Sequence, residues 1–249
     1  MTRAERAEQK LWSNVDGMAQ PFYCLGRPKP YFRGTMHFYA ALCSPLFSAY
    51  QLSLCHTTQQ MISVILACTA ATCMLGASGA FHYLRWSTVA QEILLGKLDL
   101  SAIYLQIAFS ATPMYHLLLP PPVNWLIISL MGVCAMCGTL LTFGPDHMGR
   151  HARSLVYCIM GCMQVLPMMS SAFAEQSIWS RLLPFERSLV VGLAAAYLIG
   201  SQVYAHATPK LWIRVFGFHE LWHLLVIIGS ASSYIVNCSL LKRLATITD

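Results

Sequence analysis

The sequence predicts an all-α membrane protein: a seven-transmembrane helix bundle with a cytoplasmic N-terminus and its C-terminus on the opposite side. Three observations carry this. Of the 249 residues, 56% are hydrophobic and 10% charged, against roughly 25% charged in a soluble domain. Seven apolar stretches each approach the roughly 20 residues needed to cross a bilayer core of about 30 Å. Lysine and arginine are shared unevenly among the connecting loops, and that bias sets orientation.

Residues 1–35 read as a basic cytoplasmic tail, with Arg3, Arg6, Lys10, Arg27, Lys29 and Arg33. Residues 2–12 suit a short helix, and Pro21, Pro28 and Pro30 break any longer one. The tail carries no apolar core of the kind a signal peptide needs. The membrane domain spans 36–243, with helices expected at 36–55, 61–84, 98–118, 121–143, 154–174, 188–206 and 218–241. Residues 244–249 form a short C-terminal tail. Pro113 and Pro167 fall inside spans, where membrane helices tolerate kinks. The stretch Gly192 to Ser201 offers a small-residue face for close helix packing. The tail and the loops holding Arg85, Lys97, Arg150, Arg153, Lys210 and Arg214 carry twelve basic residues. The other side has Arg181, Arg187, Lys242 and Arg243.

That topology brings polar residues to one depth. His219 and His223 are four apart at the start of the last span, so one helix face presents both imidazoles. His82 ends the second span, about 3 Å from the same membrane face, and Ser78 lies one turn deeper, at about 9 Å. Asp99 opens the third span, and His37 the first. Three neutral imidazoles suit zinc and leave a fourth position open. Asp99 is then expected to accept a hydrogen bond from the water or act as its base, and Ser78 to bond that water or a substrate oxygen. Ionisable groups within apolar spans are costly, which favours a functional reading over simple packing.

Other features read more plainly. His219-Glu220-Leu-Trp-His223 matches the H-E-x-x-H pattern of zinc proteases. The second Asp-containing membrane motif of intramembrane metalloproteases is missing, because Asp16-Gly17 lies in the tail. Glu220 is therefore expected to pair with a nearby Arg or Lys, with a base role left in reserve. His147 and His151 read as loop residues. His56, His116 and His206 sit at helix ends. The ten cysteines, including Cys134 and Cys137, read as small packing residues rather than a disulfide framework. The basic residues are not interleaved with aromatics on a soluble domain, so no nucleic-acid partner is expected. No continuous polar stripe suited to a wide pore is present.

Four blocks carry a family resemblance: Lys29-Pro-Tyr-Phe-Arg33-Gly34-Thr-Met-His37; Ser78-x-x-x-His82; Lys97-Leu-Asp99-Leu-Ser101-Ala-Ile-Tyr104 with Ala111-Thr112-Pro113; and Gly200 to Tyr204, Pro209, then Phe216 through Ser230. Together they resemble the hemolysin III-related members of the progestin and adipoQ receptor (PAQR) superfamily. The resemblance implies seven helices and zinc held by His82, His219 and His223, with Asp99 beside it. Ceramidase-like site layout implies a zinc-dependent intramembrane hydrolase of a lipid amide or ester. The alternative is a seven-helix receptor or signalling protein whose zinc is structural; a pore-forming cytolysin fits less well. Expected partners are membrane lipids and a lipid substrate or ligand within the bundle. The expected location is a multi-pass position in the plasma membrane or an internal membrane. Oligomeric state and the role of His37 leave no mark in the sequence.

Overall fold

Helices account for most of the described residues, and the bundle is built around its third long helix. The computed structural model describes residues 23, 24, 26, 29–144, 148–169, 177–212 and 214–244. In chain order the helices are α1 (Thr35–Leu52), α2 (Thr58–Tyr83), α3 (Val89–Phe109), α4 (Thr112–Leu118), α5 (Val123–Phe143), α6 (Arg150–Met169), α7 (Ile178–Arg181), α8 (Pro184–His206) and α9 (Phe218–Leu244). Among the described residues the only β-type pairing is an isolated bridge between Trp212 and Phe216. The expected short helix at 2–12 and most of the basic tail lie outside the described residues, as do His147 and the last five residues.

Local chemistry starts and stops these helices. Thr57 and Gln60 form a reciprocal capping box at the start of α2, and Thr88 and Gln91 repeat it for α3, satisfying donors that a helix start leaves open. Pro113 was expected as a kink. Its ring meets the carbonyl four residues back, and α3 ends at that residue, Phe109. The freed groups are then claimed by side chains. Thr112 donates to the carbonyls of Ser63 and Phe109, Ser233 and Asn237 both donate to that of Ser110, and Gln164 donates to that of Ile107.

α3 packs against α2, α5 and α6, while α4 continues it against α2, α5 and α9. α9 lies between α8 and α1, which closes the arrangement. The core along α3–α4 holds Tyr104, Ala108, Tyr115 and Met131, all nearly without solvent contact. Outward faces are apolar instead. Leu46, Leu126, Leu140 and Leu155 stand exposed, a surface suited to lipid rather than water. Among the described residues, five stretches are long and apolar enough to cross a membrane: α2, α3 with α4 as one 30-residue run, α5, α8 and α9. All ten cysteines are free.

Candidate metal centre

The site is assembled where α2 ends and α9 begins. His82 lies in the last turn of α2, and His219 and His223 in the first two turns of α9. One ligand nitrogen from each converges, all within 4.8 Å of one another. The Nε2 atoms of His82 and His219 are 3.2 Å apart. Two ligands at 2.0–2.1 Å from a tetrahedral ion lie about 3.3 Å apart, so the spacing suits one shared ion. Asp99 approaches from α3, its Oδ2 3.4 Å from His82 Nε2. His223 is 1% exposed, and its Nε2 has no hydrogen-bond partner among the described residues. A buried polar atom left unpaired is costly, and a metal ion would satisfy it. The residues present therefore fit zinc.

The surroundings fix each ring. Tyr23 Oη is 2.5 Å from His82 Nδ1, which leaves Nε2 to face the other histidines. Outer-shell bonds of this kind orient metal-ligating imidazoles. His37, in the first turn of α1, stacks on His223 with ring centres 4.0 Å apart and planes within 3°. Its Nε2 donates to the His223 carbonyl, 3.2 Å away. His37 is thus a support for the centre rather than one of the converging nitrogens. Trp222 meets His219 edge-on at 5.2 Å.

Two glycines let the backbones come this close. Gly34 precedes α1 with φ of +78°, a left-handed conformation that favours glycine. A Cβ there would sit 2.5 Å from the His82 Cβ. A Cβ on Gly79 would sit 2.7 Å from Phe38 Cα. The segment before α1 is also pinned to the loop before α9. Tyr31 and Phe32 donate from their backbone to the carbonyls of Arg214 and Val215 at 2.8 and 3.2 Å.

Glu220 is fully buried and forms an ion pair with Arg33; its other oxygen accepts from the Gly217 N–H at 2.7 Å. The expected pairing with a basic residue is present, and the carboxylate is committed to holding the entry to α9. Lys29 closes the C-terminus of α2, donating to the carbonyls of Tyr83 and Leu84 at 3.3 and 3.2 Å. Burial pushes its ammonium down to about 8, with Arg33 and Arg85 adding repulsion.

The structure brings His82, His219, His223 and Asp99 together as the sequence reading expected. Ser78 is buried one turn deeper on α2. It is not among the residues lining the cavity of about 1100 Å³ that His82, Asp99 and His219 face. Among the other histidines, the backbone N–H of His56 donates to Gln60, His116 packs near Trp125, and His151 meets His206. Tyr23 was not singled out in the sequence. It lies 59 positions from His82, and no periodicity links the two.

Residues 25–234 match the family model described as haemolysin-III related. This chain belongs to that family. Similar proteins include Hemolysin-3 of Bacillus cereus, 28% identical over 57% of this chain and 59% of that protein. A progestin and adipoQ receptor-like protein 1 of Caenorhabditis elegans is 28% identical over 66% of this chain and 40% of its own length. The heptahelical transmembrane protein ADIPOR2 of Oryza sativa subsp. japonica is 26% identical over 67% of this chain and 76% of its own. The match thus spans less than two thirds of the first two of these relatives. Membership of the haemolysin-III-related family and the five apolar helices make the protein an integral, multi-pass membrane protein.

Proposed function

We propose that this haemolysin-III-related protein is a zinc-dependent hydrolase of a lipid amide or ester, working inside a seven-span bundle with a cytoplasmic N-terminus. The observation that carries the reading is the Asp99 carboxylate, 3.4 Å from His82 Nε2, on the wall of the same cavity. Of the two described carboxylates on that wall, Glu92 and Asp99, Asp99 is the one that stands beside the converging imidazoles. The seven-span count is supported by α1 and α6, whose outward faces carry Leu42, Leu46, Leu155 and Ile159 exposed like those of the five more apolar stretches.

His82, His219 and His223 would hold the ion. When bound, zinc supplies a Lewis acid and lowers the pKa of its water toward about 7. Asp99 takes the proton from the attacking water and passes it to the leaving amine or alcohol, the role of a positioned general base and acid. Ser78, buried one turn deeper and off the cavity wall, is assigned at most a hydrogen bond to that water from the inner side of the site. Tyr23 and His37 hold the rings, and the apolar walls exclude bulk water.

A second reading draws on the receptor-like name of one relative and on the placement of the ligands, which tie α2 to α9. The ion would then be a structural clamp in a signalling protein. Asp99→Asn separates the two. Metal content is measured by elemental analysis in detergent-purified protein, with His219→Ala/His223→Ala beside it. About one zinc per chain is expected in wild type and in Asp99→Asn, and none in the double variant. Hydrolysis of lipid amides and esters is expected to fall about 100- to 10,000-fold in Asp99→Asn. Wild type that folds without zinc would end the metal reading. Zinc with no turnover of any lipid tested would leave the clamp.

A further inference from the structure

The chamber over the histidines is lined by six basic side chains: Arg33, Lys97, Arg150, Arg153, Lys210 and Arg214. The carboxylates among its described lining are Glu92 and Asp99, both buried. Arg33 is already neutralised by Glu220. A surplus of positive charge therefore surrounds a cavity of about 1100 Å³.

A general bias of basic residues toward one membrane face accounts for the side on which these groups lie. It does not account for their arrangement around one chamber. They come from separate segments: the stretch before α1, α3, α6 and the connection from α8 to α9. Three are held in place. Arg153 donates to Tyr204 Oη at 3.0 Å and to the Met148 carbonyl at 2.7 Å. Arg150 lies 6.0 Å over the ring of Phe218, the residue before His219. Lys97 donates to the Phe143 carbonyl at 3.3 Å and lies over that residue's ring. Fixed cations around a chamber form a site for an anion with several acceptor oxygens. Basic pockets between membrane helices bind phosphorylated headgroups for this reason.

The chamber also has an apolar side. Ile93 on α3 and Leu141 on α5 line it, and both are exposed apolar side chains. An apolar tail can therefore leave there while an anionic head stays among the cations. We infer that the chamber takes a phosphate-bearing amphiphile, its phosphate among Lys97, Arg150 and Arg153 and its apolar part toward Ile93 and Leu141. Its role as substrate rests on the hydrolase reading above. Its binding does not.

The test is titration calorimetry of the detergent-purified protein with dihexanoylphosphatidic acid. Dihexanoylglycerol, which lacks the phosphate, and glycerol 3-phosphate, which lacks the chains, serve as comparisons. The phosphatidic acid is expected to bind at least about tenfold more tightly than either and to weaken as salt screens the contacts. Lys97→Gln/Arg150→Gln is expected to cost about tenfold or more. Lys97→Gln/Lys210→Gln repeats the test without touching the Phe218 contact. Equal binding of dihexanoylglycerol, or affinity unchanged in both charge variants, overturns the inference. Equal binding of glycerol 3-phosphate makes this a soluble-phosphate site and overturns the amphiphile. Binding without hydrolysis leaves the inference standing and counts against the hydrolase. Hydrolysis of uncharged lipids with no preference for the phosphate does the reverse.

Discussion

The last helix, α9, has a buried carboxylate network at each end. At its start, Glu220 pairs with Arg33 and accepts from Gly217. Near its end, Glu186 from the first turn of α8 accepts from the Leu183 N–H at 2.8 Å, from Ser239 at 2.7 Å and from Arg243 at 2.8 Å. Both carboxylates are 0% exposed. Both satisfy a helix start and join two segments distant in sequence. At the Glu220 end His223 of α9 keeps an unpaired nitrogen among the described residues and His219 lines the large chamber, whereas Glu186, Ser239 and Arg243 are bonded to one another. Burial and charge thus do not separate a functional carboxylate from a structural one. What separates them is whether polar groups nearby are left unsatisfied beside open space.

The largest expected effects come from removing these carboxylates. Glu220→Ala and Glu186→Ala should each destabilise the detergent-solubilised protein by roughly 2–4 kcal/mol, because each leaves buried donors unmet and takes the partner from an arginine that is only partly exposed, Arg33 or Arg243. Zinc per folded molecule then distinguishes the ends. It should fall in Glu220→Ala, whose loss frees the entry to α9, and hold steady in Glu186→Ala. Equal zinc in both would erase the contrast. Gly34→Ala should cost at least about 2 kcal/mol, combining strain at positive φ with a clash against His82. It should also weaken zinc binding, and a variant with normal zinc affinity would show that the approach of α1 to His82 is not needed. Tyr23→Phe should weaken zinc roughly tenfold while costing about 1 kcal/mol of stability, read by competition with a chelating dye and by thermal melting.

The smallest effect concerns Lys29. Its folded pKa, about 8, lies below the ordinary lysine value. Between those two values the unfolded chain holds more protons, so stability should rise with pH across that window. Melting temperatures taken below and above about pH 8 should show the rise in wild type and less of it in Lys29→Met. A slope unchanged in the variant would assign it elsewhere.

Much of this site was readable in advance because its ligands obey short-range or topological rules. His219 and His223 follow from helical spacing. His82 and Asp99 follow from the depth that alternating spans assign them. Glu220 looked like a catalytic base by pattern, and its commitment to Arg33 follows from a contact across 187 positions. Tyr23 and Glu186 carry no such marks, since each acquires its role through tertiary packing alone. The helix break shows the same division. Pro113 announces an interruption, but the carbonyls it frees are met by Thr112, Gln164, Ser233 and Asn237. Gln164, Ser233 and Asn237 come from distant helices, and no local rule names them.

The central placement of α3 bears on how the protein is made. Ribosomes deliver α3 to the membrane after α1 and α2 and before α5, α6 and α9. Glu92, Asp99 and Gln106, all buried in the finished bundle, then have few partners, and polar groups in lipid are costly. Their shelter is completed by α5, α6 and α9. Two of the three converging imidazoles also arrive with α9, the final helix. The three imidazoles therefore converge only after α9 has been delivered, and a chain truncated before α9 carries an unfinished polar seam among its helices. If the proposed zinc is bound there, its uptake has to wait for α9.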